Sequence, residues 1–344
     1  MVRIGLLTGG GDCPGLNAAI RAVVRAADRY GHRVIGIREG WQGLFTRDVR
    51  PLTAKDTTGI LAQGGTILGG SRDNPLKYRR GLQICLKNFR QLKLNAVISI
   101  GGEGTLKLAD VFSKAGMPVV CVPKTIDNDT WGTDVTIGFD TAVQVATDAI
   151  DRLHTTAESH DRVMIVEVMG RHAGWIAAMA GIAGGADAIL VPEEPFDLFE
   201  LLKIIRVRAK RGRHFTIAVV SEDARIRLTN GRILKTPLRH DEYGDVKLGG
   251  IGETLARELR SRKVPDVRVT VLGHLQRGGT PTAADRVLAT RLGAFAVELV
   301  HEKKFGMMAS LKDNKIQAVS MADTAGKLKT IDPALLRIAR IFFG

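Results

Sequence analysis

The stretch Val119-Val120-Cys121-Val122-Pro123-Lys124-Thr125-Ile126-Asp127-Asn128-Asp129 decides the fold class. Its first four residues form a short unbroken apolar run, the form of a strand buried on both faces of a parallel sheet. The polar, turn-forming residues after it open a loop at a strand end, where ligands of open α/β sheets bind. Asp127 and Asp129 have no place in an apolar core, and Lys124 and Thr125 suit an anionic, oxygen-rich ligand. A base beside phosphate-directed donors is the equipment of phosphoryl transfer, where positioning and electrostatics do nearly all the catalysis. Read alone, the same residues also describe a surface turn capped by aspartates.

Working outward, the strand–loop–helix unit recurs. Gly9-Gly10-Gly11-Asp12-Cys13-Pro14-Gly15-Leu16-Asn17 lies between a strand from Ile4 to Leu7 and a helix-like run from Ala18 to Asp28. Glycines let a backbone approach a phosphate, and a helix N-terminus supplies free N–H groups. The segment is neither a Walker loop nor a Gly-x-Gly-x-x-Gly fingerprint. Gly101-Gly102-Glu103-Gly104-Thr105 again follows a strand, Ala96 to Ile100. Gly102 and Gly104 leave space for phosphates, and Glu103 offers Mg²⁺ a hard oxygen. A third loop, Met169-Gly170-Arg171-His172-Ala173-Gly174-Trp175, follows Val163 to Val168. Arg171 brings a planar fork suited to a phosphate, whereas His172 reads as a locally packed or bonded side chain. Further strands start at Thr216 and Val267, and the sum is doubly wound α/β organisation.

A chain of 344 residues is long for one core and points to two α/β lobes. Its 44% hydrophobic and 25% charged residues are ordinary for a globular protein. The run Ile4 to Thr8 meets Asp12 too soon for a signal peptide. The apolar stretch from Trp175 to Val191 is interrupted by Gly184, Gly185 and Asp187, so no membrane span is expected. Cys13, Cys85 and Cys121 lack Cys-x-x-Cys spacing, which argues against zinc and disulfides and suits the cytoplasm. The net charge of +14 partly serves anionic substrates. The remainder clusters from Lys203 to Arg213, read as one solvated helix face, and from Arg225 to Arg239, with Asn230-Gly231 as a hairpin tip. Non-specific nucleic-acid binding is the reading from a different class. With 5% aromatic residues the chain offers few stacking platforms for it, and no specific nucleic-acid partner is expected.

Together with Asn17, Arg21 and Val271-Leu272-Gly273-His274-Leu275-Gln276-Arg277-Gly278-Gly279, these motifs resemble the 6-phosphofructokinase family along nearly the whole chain. The resemblance implies two Rossmann-like lobes with the active site in the cleft between them. The lobes are expected at 1–139 plus 278–312, which binds nucleotide, and at 140–277 plus 313–344, which binds the sugar phosphate. It implies ATP-dependent phosphorylation of fructose 6-phosphate at the 1-hydroxyl, the committed step of glycolysis, with Mg²⁺ as cofactor. Asp127 matches the proton acceptor, Thr125 a contact to the transferred phosphoryl, and Asp129 a second active-site carboxylate. Arg171 and Gly11 match groups that stabilise the transferring charge. Gly10, Gly11, Arg72, Asp73 and Gly102 to Thr105 match the nucleotide set, with Glu103 at the Mg²⁺ position. Met169, Gly170, Arg171, Glu222, His274 and Arg277 match the sugar-phosphate pocket, alongside Thr125 and Asp127. Arg162 and Arg268 match arginines that reach the neighbouring subunit's site, which implies a homodimer or homotetramer.

Two positions bear on the donor. ATP-dependent members commonly have glycine where this chain has Lys124, and pyrophosphate-dependent members have lysine there. Pyrophosphate users also carry Asp where this chain has Gly104. A carboxylate at 104 would push against the α-phosphate, so Gly104 leaves room for a full nucleotide. The combination resembles the mixed-substrate branch in its ATP-using form, with a pyrophosphate-dependent enzyme as the alternative. Arg21 and Arg25 match basic effector-site positions, but His154 and Ala54 replace two arginines, so weak or absent activation is expected.

Overall fold

The computed structural model describes residues 1–235, 239–240, 246–324 and 326–343. Residues 236–238 of the second basic run, and the side chain of Arg239, fall outside this description. The chain forms two compact units: Met1–Ile126, Thr130–Thr141 and Arg277–Leu328; and Asp127–Asp129, Ala142–Gln276 and Lys329–Gly344.

The first unit begins with β1 (Arg3–Thr8), α1 (Leu16–Arg29), β2 (Arg33–Ile37) and β3 (Val49–Leu52). It continues through β4 (Ala96–Gly101), α2 (Glu103–Lys114) and β5 (Val119–Pro123). Every residue of β4 and β5 is buried, which is why they read as unbroken apolar runs rather than alternating ones. The chain then passes through α3 (Phe139–Ser159) into the second unit, with β6 (Val163–Val168), α4 (Trp175–Ala183) and β7 (Ala188–Leu190). There follow α5 (Leu198–Lys210), β8 (Thr216–Ser221), α6 (Ile251–Ser261) and β9 (Val267–Val271). These strands form a parallel sheet in the order β9-β6-β8-β7. Leu190, Leu202, Val220, Leu255 and Leu259 share its core.

Back in the first unit come α7 (Ala283–His301), β10 (Met307–Lys312) and β11 (Lys315–Ser320). The sheet order is β11-β10-β5-β4-β1-β2-β3. The first unit includes the antiparallel hairpin of β10 and β11, which pair from Met307↔Ser320 to Lys312↔Lys315. The packing of α1 on α7 is close: a Cβ at Gly293 would lie 2.8 Å from the Ala19 carbonyl oxygen. The last helix, α8 (Pro333–Ile341), belongs to the second unit and is capped by Asp332, whose carboxylate accepts from the N–H of Ala334.

The Asn230-Gly231 tip lies between the antiparallel pairs Ile226↔Leu234 and Arg227↔Ile233. The first basic run is only partly a solvated face. Arg208 turns inward, pairs with Asp187 at 2.5 Å and lies 5.2 Å from the Phe215 ring centre.

Candidate active site

In the first unit, β1 lies between β4 and β2, so the chain leaves it in one direction and returns on the other side. This is a topological switch point, and the loops after β1, β4 and β5 meet there at the C-terminal ends of adjacent strands. The N–H of Gly9 donates to Ile100 O at 2.9 Å, and the N–H of Lys124 donates to Gly101 O at 2.9 Å. The N–H of Gly10 donates to Ser71 O at 3.0 Å, which brings in the 71–73 segment. The glycines are needed for close packing. A Cβ at Gly9 or Gly101 would fall within 2.6 Å of the Thr105 side chain. Gly104 differs: a Cβ there meets nothing within 4 Å.

Lys124 is 2% exposed. Its Nζ donates to the carbonyl oxygens of Gly9 at 3.1 Å and Gly11 at 2.5 Å. The residue expected to face the donor phosphates therefore also braces the backbone of the first glycine loop. Arg277 joins the same loop, donating from Nη1 to Asp12 O at 3.3 Å. It passes so close that a Cβ at Gly11 would lie 2.5 Å from that nitrogen. Asp73 accepts from the Tyr78 hydroxyl at 2.9 Å, a bond that holds the phenol proton and raises its pKa. Arg72 is exposed. Glu103, first residue of α2, is half-exposed and pairs with Lys107 at 2.6 Å.

The loop after β5 runs from the first unit into the second. The Thr125 carbonyl accepts from the Thr136 hydroxyl at 2.6 Å. Asp127 and Asp129 are 4% and 6% exposed, so neither is a solvated turn residue. Asn128 between them is left-handed, at φ 53°, a conformation Asn tolerates better than most residues. Lys329 fixes this part of the loop. Its N–H donates to Asp129 O and its Nζ to Asn128 Oδ1, both at 2.9 Å. Lys329 also lies over Trp175, whose indole N–H donates to the Lys329 carbonyl.

In the second unit, Met169, Gly170 and Arg171 follow β6. The N–H of Met169 donates to Gln276 Oε1 at 3.3 Å, and that of Arg171 to Glu222 Oε1 at 3.0 Å. Gly170 has φ 146°, and a Cβ would lie 2.5 Å from Ala173 O, so the turn requires glycine. Arg171 is itself left-handed at φ 50°, a local cost of about 1–3 kcal/mol held by its surroundings. His172 bonds locally, to Asp223 at 2.9 Å. His274 follows β9 and is exposed.

Two expected residues stand apart from these. Arg162 and Arg268 precede or open β6 and β9 at their N-terminal ends, where both pair with Asp266, at 2.9 and 2.7 Å. The Arg162 hydrogen bond, with help from Arg268, holds the Asp266 carboxyl below the usual range. β6 has six residues, so the length of the strand, about 20 Å, separates Arg162 from Met169. Gln276 and Lys329 were not singled out from the sequence. Gln276 lies inside a quoted motif, but Lys329 is about 200 residues from the loop it ties and carries no local signal.

These loops at the C-terminal ends of parallel strands define an open α/β protein. A sequence model of the family described as Phosphofructokinase matches residues 3–300, and the chain belongs to that family. It is 53% identical over 334 residues to "ATP-dependent 6-phosphofructokinase 3" of Streptomyces coelicolor, covering 97% of each. It is 51% identical over 348 residues to the "Pyrophosphate--fructose 6-phosphate 1-phosphotransferase" of the same organism, covering 100% of each. Among solved structures, the T-state phosphofructokinase of Pichia pastoris superposes with a TM-score of 0.83 at 34% identity. The match covers 94% of this chain and 35% of that longer one.

Proposed function

We propose that the protein transfers the γ-phosphoryl group of ATP to the 1-hydroxyl of fructose 6-phosphate, yielding fructose 1,6-bisphosphate and ADP. Asp127 accepts the hydroxyl proton as the oxygen bonds to the γ-phosphorus. The bond from that phosphorus to the β,γ-bridging oxygen breaks, and ADP leaves with its electron pair. Thr125 contacts the transferred group and Asp129 serves as a second active-site carboxylate. Arg171 and the Gly11 backbone stabilise the charge on the equatorial oxygens. Gly10, Arg72, Asp73 and Gly102 to Thr105 hold the nucleotide, while Met169, Gly170, Glu222, His274 and Arg277 hold the sugar phosphate.

Among the described residues no group of three or more His, Cys, Asp or Glu side chains is arranged to hold a metal. The single half-exposed carboxylate of Glu103 at the start of α2 suits a Mg²⁺ that would arrive with the donor phosphates and keep several waters. Bound there, it would neutralise phosphate charge.

Relatives named for either donor are about half identical to this chain, so overall similarity does not choose between them. The observation that carries the ATP reading is the open space at Gly104. Lys124, the feature that favours pyrophosphate, bonds to the glycine-loop carbonyls and so has a role that needs no pyrophosphate.

Arg162 and Arg268 lie a strand length from their own chain's Met169–Arg171 loop, and this supports their serving a second copy in a homo-oligomer. Among the described residues no helix is long and apolar enough to cross a membrane. Burial pushes the Cys13 and Cys85 thiols up to about 12, so they are inert free thiols, as suits the cytoplasm. Phosphorus NMR of the enzyme with ATP and fructose 6-phosphate tests the reaction. Equal amounts of fructose 1,6-bisphosphate and ADP are expected, and ATP hydrolysis without a sugar product would overturn it.

A further inference from the structure

Arg206, from the basic run on α5, is not used by the proposed reaction, and it borders a cavity of about 430 Å³ in the second unit. The cavity lies at the N-terminal ends of β6 and β9, the opposite edge of that sheet from Met169–Arg171 and His274. Its floor is the end of the hydrophobic core. Val163 and Leu202 are buried core residues, and Ile205 and Val264 pack against them while lining the cavity. Its walls come from α5 and from the segment after α6. The Arg162–Asp266 ion pair ties together the chain next to two lining residues, Asp161 and Pro265.

Arg206, His214 and Lys263 line the same cavity. Their side chains make no ion pair or hydrogen bond among the described residues. Among the described residues, Arg262 is the one lining cation with a carboxylate partner, Glu258 at 2.6 Å, and Asp161 is the one lining acid. Three unpartnered basic side chains therefore surround an apolar floor in a volume typical of small-molecule sites.

We propose that this cavity binds a small organic phosphate with a compact apolar body. The phosphate would take Arg206 and Lys263, with His214 as a further donor, and the body would cover Leu202, Ile205 and Val264. Phosphate contacts to Arg are charge-assisted and strong for their exposure, while burial of the body distinguishes such a ligand from a free anion. The inference is independent of the phosphotransferase reading, since its test is binding alone.

Isothermal calorimetry on the full chain with phenyl phosphate tests it. Binding at one site per chain is expected, weakened roughly 10-fold in the Arg206→Ala/Lys263→Ala double variant. Ala209→Trp, which fills the cavity from α5 and leaves its charges intact, should abolish the same binding. Inorganic phosphate should bind about 10-fold more weakly than phenyl phosphate. The proposal is overturned if phenyl phosphate does not bind, if its binding is the same in both variants as in wild type, or if inorganic phosphate binds equally well. Circular dichroism of both variants confirms that any loss belongs to the site and not to unfolding.

Discussion

Lys124 and Gly11 are joined by a hydrogen bond of 2.5 Å from the buried ammonium to the loop carbonyl, with a second from Lys124 to Gly9 at 3.1 Å. Carbonyls that turn inward toward Nζ favour N–H groups turned outward, the arrangement a phosphate needs. Lys124→Met keeps the length but leaves two inward carbonyls without this donor. It should cost about 1–3 kcal/mol of stability and raise the KM for the phosphoryl donor more than that for fructose 6-phosphate. Denaturant unfolding and steady-state kinetics check both. Unchanged stability and donor KM would show that the brace is dispensable.

Asp127 is the proposed base, and it is buried where a turn aspartate would be solvated. Asp127→Ala should lower kcat by about 10²–10⁴ with a much smaller effect on KM, the signature of a lost general base. Turnover near wild type in a folded variant would contradict the assignment.

Arg162 and Arg268 share Asp266 at one end of their strands, and the loops of Met169–Arg171 and His274 follow the other end. If the arginines serve a second copy, Arg162→Ala and Asp127→Ala subunits should each be inactive alone and partly active as a hybrid. One site in the hybrid then has its base from one chain and its arginine from the other. Activity after verified subunit exchange is the readout, and none would place both arginines in their own chain's site.

His32 stacks on Tyr30 and lies tilted against His301, with its Nε2 3.3 Å from His301 Nδ1. Burial, and then the neighbouring His301, depress its pKa. The unfolded chain therefore takes up a proton first as pH falls below the ordinary histidine value of about 6.5. Stability from the neutral imidazole is full above that pH and is lost below it, down to the folded pKa. Melting temperature measured from pH 8 to 5 should fall in this window, and His32→Gln should flatten that part of the curve. An identical curve in the variant would assign the slope to other groups.

Much of this was legible in the sequence because parallel strands buried on both faces leave unbroken apolar runs. Val119–Val122 and Ala96–Ile100 are such runs, and Gly101 after the second marks where backbone and the Thr105 side chain pack closely. Lys124 was legible as a cation but not as a brace, since no local pattern says which carbonyls a buried ammonium meets. Arg208 was read as solvated because helical spacing places it among exposed cations, whereas Asp187, from another element, draws it inward. Lys329 was invisible because its partners lie in a distant loop.

The central claim, that ATP is the donor because position 104 is open, is tested by kcat/KM for ATP and pyrophosphate in wild type and in Gly104→Asp. A Cβ at 104 meets nothing within 4 Å and the backbone there needs no glycine, so the variant should fold normally. Any loss then reports on the donor. A carboxylate about 4 Å from the α-phosphate costs on the order of several kcal/mol at intermediate dielectric. Wild type should prefer ATP, and Gly104→Asp should lose ATP activity by orders of magnitude while retaining or gaining weak pyrophosphate activity. A wild type that prefers pyrophosphate, or a variant that keeps its ATP turnover, would contradict the account.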